Sequence, residues 1–391
     1  MRTEGDLIEA NKWLSPLSFI YGMGVGMRNR MYELGIKKSH SFVIPVISVG
    51  NITVGGAGKT PHTEYLVRLL KDRLKVAVLS RGYKRKTKGY VLADEESTAE
   101  TIGDEPRQMK TKFPDIYIAV DANRCEGIDR LTTDEATSDV DVILLDDAYQ
   151  HRHVKPGINI LLVDYHRLII YDKLLPAGRL REPEKGKERA DMVIITKCPR
   201  DLKPMEFRVL TKAMNLRPYQ DLYFTTIDYE NLCPILDTKG EKKEIAADDN
   251  VMLLTGIASP QQMEQDIAPL CKSLTALNFS DHHQFRQRDI DRINEAFSEL
   301  KEPRMVVTTE KDAARLCDID GLSDDVRQNI YALPVSIKFM LGQEETFNNK
   351  ILSYVHKNSR NSILVKTKDE IKPKDSNNTG ERPRRISFKD N

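Results

Sequence analysis

Residues 50–60 read GNITVGGAGKT, one letter away from the phosphate-gripping pattern G-x-x-x-x-G-K-[ST]. Counting back from Lys59 and Thr60, Gly58 stands where the second glycine belongs, but the first position is Thr53. The surroundings outweigh that mismatch. FVIPVISV (42–49) is short, β-branched and apolar, as a buried strand should be, and HTEYLVRLLKDRL (62–74) has helical apolar spacing. A strand, a glycine-rich loop and a helix, in that order, are what a phosphate loop requires.

The chemistry follows from that order. Backbone N–H groups of such a loop converge on phosphate oxygens, and the helix N-terminus adds its partial positive charge. Lys59 then reaches the β and γ phosphates of ATP, and the Thr60 hydroxyl binds Mg²⁺. Pro61 suits a first helical turn, which has no use for its missing N–H. Gly55, Gly56 and Gly58 permit the close approach. Thr53 is acceptable if its φ is negative and Gly55 or Gly56 makes the tight turn. The candidate nucleotide-binding set is therefore Thr53, Val54, Gly55, Gly56, Ala57, Gly58, Lys59 and Thr60.

A second motif, VDVILLDDA, is a buried strand ending in Asp146 and Asp147. Carboxylates at such a strand end hold Mg²⁺ directly or through water, so Thr60, Asp146 and Asp147 are the candidate metal ligands. Guanine readers need [NT]-K-x-D. TKCP (196–199) has Pro in place of the Asp, and TEKD (309–312) has Lys and Asp adjacent. Partition-type ATPases carry an extra Lys just before the paired glycines, where this chain has Val54.

The chain has 391 residues and a formal net charge of +1, enough length for two domains and no bulk charge calling for nucleic acid. Its five cysteines form no C-x-x-C pair, which argues for free thiols in a reducing compartment. No run of about 20 apolar residues suggests a membrane span. An uncharged segment, WLSPLSFIYGMGVGM (13–27), is followed by Arg28, Arg30, Lys37 and Lys38. Two readings fit it: an interfacial membrane-docking segment that buries Trp13, Leu17, Phe19 and Ile20, or a helix packed on the core.

Further apolar strands at 75–80, 114–120, 140–147, 158–164 and 190–197 alternate with helical or loop segments. This predicts an α/β fold, with a P-loop NTPase-like, mostly parallel sheet covered by helices on both faces. A second, smaller α/β domain is expected beyond it, with NIYALPVSIKF (329–339) as its closing strand. The boundaries drawn are 1–41 for the N-terminal segment, 42–236 for the phosphate-loop core domain, 237–355 for the smaller domain and 356–391 for a basic disordered tail.

Taken together, TVGGAGKTP, SRGYKRK, GDEP, LLDDAYQHR, LLPAGRLREP, DHHQF and TTEKDA run in an order that resembles the tetraacyldisaccharide 4'-kinases, the lipid A 4'-kinases. Thr at position 53 is that family's form of the loop. The resemblance implies transfer of the γ-phosphoryl of ATP to the 4'-hydroxyl of a tetraacylated glucosamine disaccharide 1-phosphate, with Mg²⁺. It also implies a peripheral enzyme on the cytoplasmic face of the inner membrane, with residues 13–36 docked on the membrane surface. No nucleic acid and no obligate protein partner are expected. A membrane-associated partition-type ATPase and a nucleotide-gated membrane adaptor are the competing classes.

By pattern alone, Asp104 in IGDEP is a helix cap and the pair His282–His283 a polar surface feature. The resemblance instead assigns Asp104 and His282 to catalysis beside Lys59, leaving open which of the two takes the proton. It places Arg181 and Glu182, from GRLREP, near the Mg-ATP site. Cations of SRGYKRK are candidates for the lipid's 1-phosphate. Lys311 and Asp312 belong to the resemblance without an evident physical role.

Overall fold

A computed structural model of the chain describes residues 11–235, 243–257, 260–280, 283, 285–317 and 319–359. Its first sheet takes β1 (Val46–Gly50), β2 (Val76–Ser80), β3 (Val91–Leu92), β4 (Tyr117–Val120), β5 (Val142–Asp146), β6 (Ile158–Asp164), β7 (Met192–Thr196) and β8 (Asp221–Tyr229). A smaller sheet takes β9 (Cys233–Pro234), β10 (Asn250–Thr255), β11 (Ser273–Asn278), β12 (Arg304–Thr309) and β13 (Ile330–Leu333). The last strand, β14 (Val335–Phe339), returns to the first sheet.

The large sheet has the order β14-β8-β7-β6-β1-β5-β2-β4-β3, and β1 to β8 pair in parallel except for the short β3. Its central strands are apolar on both faces because helices cover both. VISVG and VILLD are buried along their whole length. One face packs Ile47, Leu66, Leu70 and Leu144, and the other packs Ala77, Leu79, Ile128 and Ile143. From β1 the chain builds one side of the sheet through β5, and from β6 onward it builds the other. The C-terminal end of β1 is thus the switch point, where open α/β sheets form their binding crevice.

The small sheet has the order β11-β10-β12-β13-β9 and its own core around Leu254, Ile290, Ile293, Phe297 and Val306. The strand expected over 329–339 is divided. β13 pairs with β12, whereas β14 pairs antiparallel with β8. Pro334 lies between them with no N–H to continue a ladder. The helix Glu344–Asn358 follows β14 and packs Phe347, Ile351 and Val355 into the core of the large sheet. The smaller unit drawn from sequence over 237–355 therefore keeps its sheet only to Leu333, and the chain beyond closes the first unit. The helix also runs past the expected tail boundary at 356. The tail beyond 359 lies outside the described residues.

The N-terminal helix, Ser15–Glu33, forms despite Pro16 and three glycines. Pro16 sits in the first turn, where it costs no hydrogen bond. Gly22 lets the helix lie against Leu174, whose methyl group an added Cβ would meet at 2.8 Å. Ser18 donates to Leu174 O (3.0 Å) and accepts from Ala177 N (2.9 Å). The opposite face is bare: Trp13, just ahead of the helix, is 94% exposed, and Phe19 and Ile20 are 70% and 65% exposed. Among the described residues no helix is long and apolar enough to cross a membrane.

Candidate active site

The loop after β1 is built in two limbs. In the first, Asn51, Ile52 and Thr53 are buried, and Thr53 makes an antiparallel bridge with Leu180. Arg181 N donates to Ile52 O (2.7 Å) and Val54 N to Arg179 O (2.7 Å). Thr53 is not among the residues of positive φ, and its hydroxyl accepts from Asn51 Nδ2 (3.1 Å). The bridge explains why no glycine is needed there. In the second limb the turn is made by Gly55 (φ +113°) and Gly58 (φ +79°), the latter capping the helix Lys59–Leu70. Val54, Gly55 and Gly56 are exposed at the mouth, Ala57 is buried, and Gly58, Lys59 and Thr60 are half-buried.

Lys59, Asp147 and Arg181 converge. Lys59 Nζ lies 3.4 Å from Asp147 Oδ2, and Arg181 Nη1 lies 3.5 Å from the same oxygen. Asp147 takes the left-handed region (φ +47°), an uncommon place for a residue with a side chain. Burial would raise its pKa, but Lys59 and then Arg181 outweigh burial and hold the carboxyl below its ordinary value. Asp146 differs although it is adjacent. It is buried at the end of β5, accepts from Thr63 Oγ1 (3.2 Å), and is pushed up to about 7 by burial and by the charges of Glu105 and Asp147. The carboxylate pair thus divides into one ionised partner facing the lysine and one proton-holding partner behind it.

Asp147 Oδ1 is buried without a hydrogen-bond partner. Thr60, Asp146 and Asp147 offer only oxygen, the donor type that Mg²⁺ takes. Among the described residues no three His, Cys, Asp or Glu side chains form a ready metal cluster. Glu182 is buried. It pairs with Arg189 (2.9 Å), accepts from Asn29 Nδ2 (3.2 Å), and keeps Oε1 unpartnered.

Asp104 is the first residue of the helix Asp104–Lys112 and faces the second lobe, where Arg315 Nη2 lies 2.6 Å from its Oδ2. The N-cap is Gly103, so Asp104 is not the cap that pattern alone suggested. The other half of the expected pair, His282, lies outside the described residues. Its neighbour His283 stacks on Phe279 and bonds Asp289 Oδ2 (3.0 Å).

The second lobe supplies groups that sequence reading missed or left without a role. Asp312 is fully buried and accepts from Gly256 N (2.8 Å) and from Arg315 Nη1 (3.1 Å), so it aims Arg315 at Asp104. Lys311 lies 3.7 Å from Glu105. Lys112 joins Glu64 (2.6 Å) to Glu310 (2.7 Å) across the lobes. The motif TTEKDA carried the signal, but its meaning required the partner carboxylates from another lobe. Arg124 was also missed. It is buried under the carboxylate strand and donates to Asp121 O and to Asp146 O (3.4 Å). Of the SRGYKRK cations, Arg85 is turned onto backbone oxygens at Val120 and Gly89, and Lys86 pairs with Glu100.

The N-terminal helix reaches this site. Tyr21 OH donates to Arg181 O (2.9 Å), and Arg28 Nη2 donates to Gln150 O (2.7 Å). Gln150 in turn donates to Asn51 O (2.6 Å) at the base of the loop.

Comparison with known proteins gives a consistent set. The family described as LpxK, tetraacyldisaccharide-1-P 4'-kinase, matches residues 10–356. A tetraacyldisaccharide 4'-kinase of Phocaeicola vulgatus is 57% identical over 363 residues, 92% of this chain and 99% of the relative. One of Bacteroides thetaiotaomicron is 50% identical over 365 residues, 91% of this chain and 96% of the relative. A crystal structure of LpxK from Aquifex aeolicus in complex with ATP is 28% identical, with a TM-score of 0.66, over 88% of this chain and 98% of that one. The likeness extends over both lobes and the N-terminal helix as well as the phosphate loop, and on that ground the chain belongs to the tetraacyldisaccharide-1-P 4'-kinase family.

Proposed function

We propose that the chain transfers the γ-phosphoryl group of ATP to the 4'-hydroxyl of a tetraacylated glucosamine disaccharide 1-phosphate, at a site assembled between its two lobes. The convergence of Lys59, Asp147 and Arg181 at the end of β1, beside an Asp104 that the second lobe contacts, carries this reading. Loop N–H groups and Lys59 bind the β and γ phosphates. Arg181, now free to turn from Asp147, offers a second cation. Mg²⁺ held by Thr60 with Asp147 and Asp146 would neutralise charge on the same oxygens. Binding it favours loss of the Asp146 proton.

The sugar oxygen forms its bond to the γ-phosphorus as the bond from that phosphorus to the bridging oxygen breaks, and ADP leaves. The hydroxyl proton goes to Asp104 or His282, one positioning the other. Arg315 orients Asp104 until the acceptor arrives. Because these groups come from different lobes, closure would assemble the site only around substrate, which limits hydrolysis of ATP.

The enzyme acts at a membrane surface, on the cytoplasmic face of the inner membrane, through the bare face of the N-terminal helix. Support comes from exposed Leu17, Phe19 and Ile20 with Trp13 just ahead of the helix, and from Arg30 toward its end. Thin-layer separation of products from labelled ATP and the lipid disaccharide tests the reaction. Label released only as inorganic phosphate would overturn it.

A further inference from the structure

His62 stands one turn into the helix that follows the phosphate loop, and its ring is buried. Both ring nitrogens are used. Nδ1 lies 2.7 Å from Gly58 O, and Nε2 lies 3.0 Å from the hydroxyl of Thr225 on β8. A carbonyl oxygen only accepts, so the ring proton is on Nδ1, and Nε2 accepts from Thr225.

The preceding carbonyl is held in the same way. Thr196 Oγ1, at the end of β7, donates to Ala57 O (3.1 Å). Two successive carbonyls of the loop are thus held by side chains, Ala57 O by Thr196 of β7 and Gly58 O by His62, itself tied to Thr225 of β8. The backbone bond from His62 N to Gly58 O is longer, 3.3 Å, so the imidazole supplies the shorter restraint. In a trans peptide the N–H of one residue points opposite to the C=O of the residue before it. Fixing Ala57 O and Gly58 O therefore fixes the N–H groups of Gly58 and Lys59 toward the loop interior, where phosphate oxygens bind. Gly58 needs this restraint, because its left-handed φ is one that glycine enters and leaves freely.

We propose that His62 is a positioning residue for ATP: its Nδ1–H, locked by Thr225, presets the phosphate loop in its binding form. This rests on the reading of the chain as an ATP-dependent kinase. It concerns ATP binding, which can be measured without the lipid, so the two fail separately. Calorimetric titration of the folded full-length chain with Mg-ATP compares His62→Leu, His62→Asn and Thr225→Val. Asn places an amide N–H where Nδ1–H stood, whereas Leu keeps bulk and loses both bonds. Expected are at least a fivefold weaker Kd for His62→Leu, recovery to within about twofold by His62→Asn, and an intermediate loss for Thr225→Val. In a kinase assay the KM for ATP should rise while that for the lipid stays within about twofold. ¹⁵N spectra of histidine-labelled wild type should show His62 as the Nδ1–H tautomer. That measurement, with Thr225→Val, decides the matter if His62→Leu does not fold. ATP affinity within twofold of wild type in a folded His62→Leu, an Asn variant no better than Leu, or an Nε2–H tautomer would overturn the proposal.

Discussion

Each lobe has a parallel strand that runs straight toward a helix, and the two junctions behave oppositely. After β1 the chain inserts the glycine-rich loop before Lys59 opens its helix, and no side chain caps that helix. After β12 there is no loop. Thr309 is the cap of the helix Glu310–Leu316, accepting from Asp312 N (3.1 Å) and donating to Asp312 Oδ2 (2.7 Å). The second junction caps its helix start from within, through Thr309 and Asp312. It presents cations instead: Arg315 to Asp104 and Lys311 to Glu105. One architecture gives a phosphate cradle where its helix start is left unsatisfied, and a docking surface where the start is closed.

The comparison is broken most severely at the first junction. Lys59→Ala should lower kcat by at least a hundredfold, about 3 kcal/mol of transition-state stabilisation. Activity within about tenfold of wild type would deny the cradle its role.

Next come the carboxylates. Asp147→Asn should raise the Mg²⁺ concentration for half-maximal activity well beyond that of wild type, and Asp146→Asn should do so too. Normal Mg²⁺ dependence in both would place the metal elsewhere.

The second junction predicts a smaller loss of a different kind. Arg315→Ala should reduce kcat on the order of tenfold through a misplaced Asp104, leaving Mg²⁺ dependence unchanged, because breaking a half-buried pair disturbs orientation more than charge. A shifted Mg²⁺ requirement would mean that the junctions are not separate in function.

Stability offers a sharper version. Asp146 has a folded pKa of about 7, above its unfolded value of 3.8. The folded state therefore holds the proton more tightly, and stability falls as pH rises from about 4 toward 7, levelling above it. In metal-free protein, Asp146→Asn should raise Tm at pH 8 and have progressively less effect toward pH 4. A pH-independent change would show that Asp146 is not buried as a proton-holding acid.

The smallest effect on fold and chemistry concerns the N-terminal helix. Phe19→Ser with Ile20→Ser alters only its bare face, so Tm should hold within about 2 °C, while sedimentation with anionic vesicles drops. Deleting the whole helix is a different experiment, since Tyr21 and Asn29 bond to Arg181 O and Glu182. Unchanged sedimentation of the double variant would refute membrane docking by this face.

Much of this was readable from residue order, because the signals are local. Apolar strands, the glycine loop and the strand-ending Asp146–Asp147 each depend on residues within one short window. Thr53 was read as tolerable, and its bridge to Leu180 is why. The division at Pro334 was not readable, since 329–339 satisfies a strand pattern whichever sheet receives it. β8 was also passed over, although DLYFTTIDY is apolar enough to suggest it.

The sequence alone determined the fold class, the phosphate loop, the carboxylate pair and the family resemblance, all consequences of spacing along the chain. Only the tertiary structure decided that Asp146 and Asp147 hold opposite protonation tendencies. Their difference comes from burial and from Lys59, Arg181 and Glu105, none of them neighbours in sequence. It likewise decided that Arg315 faces Asp104 and that Thr225 orients His62, across separations of 211 and 163 residues. Local pattern cannot encode such pairings, because side-chain charge and hydrogen bonding act through space at a few ångströms, and the distance is set only once the sheets are stacked.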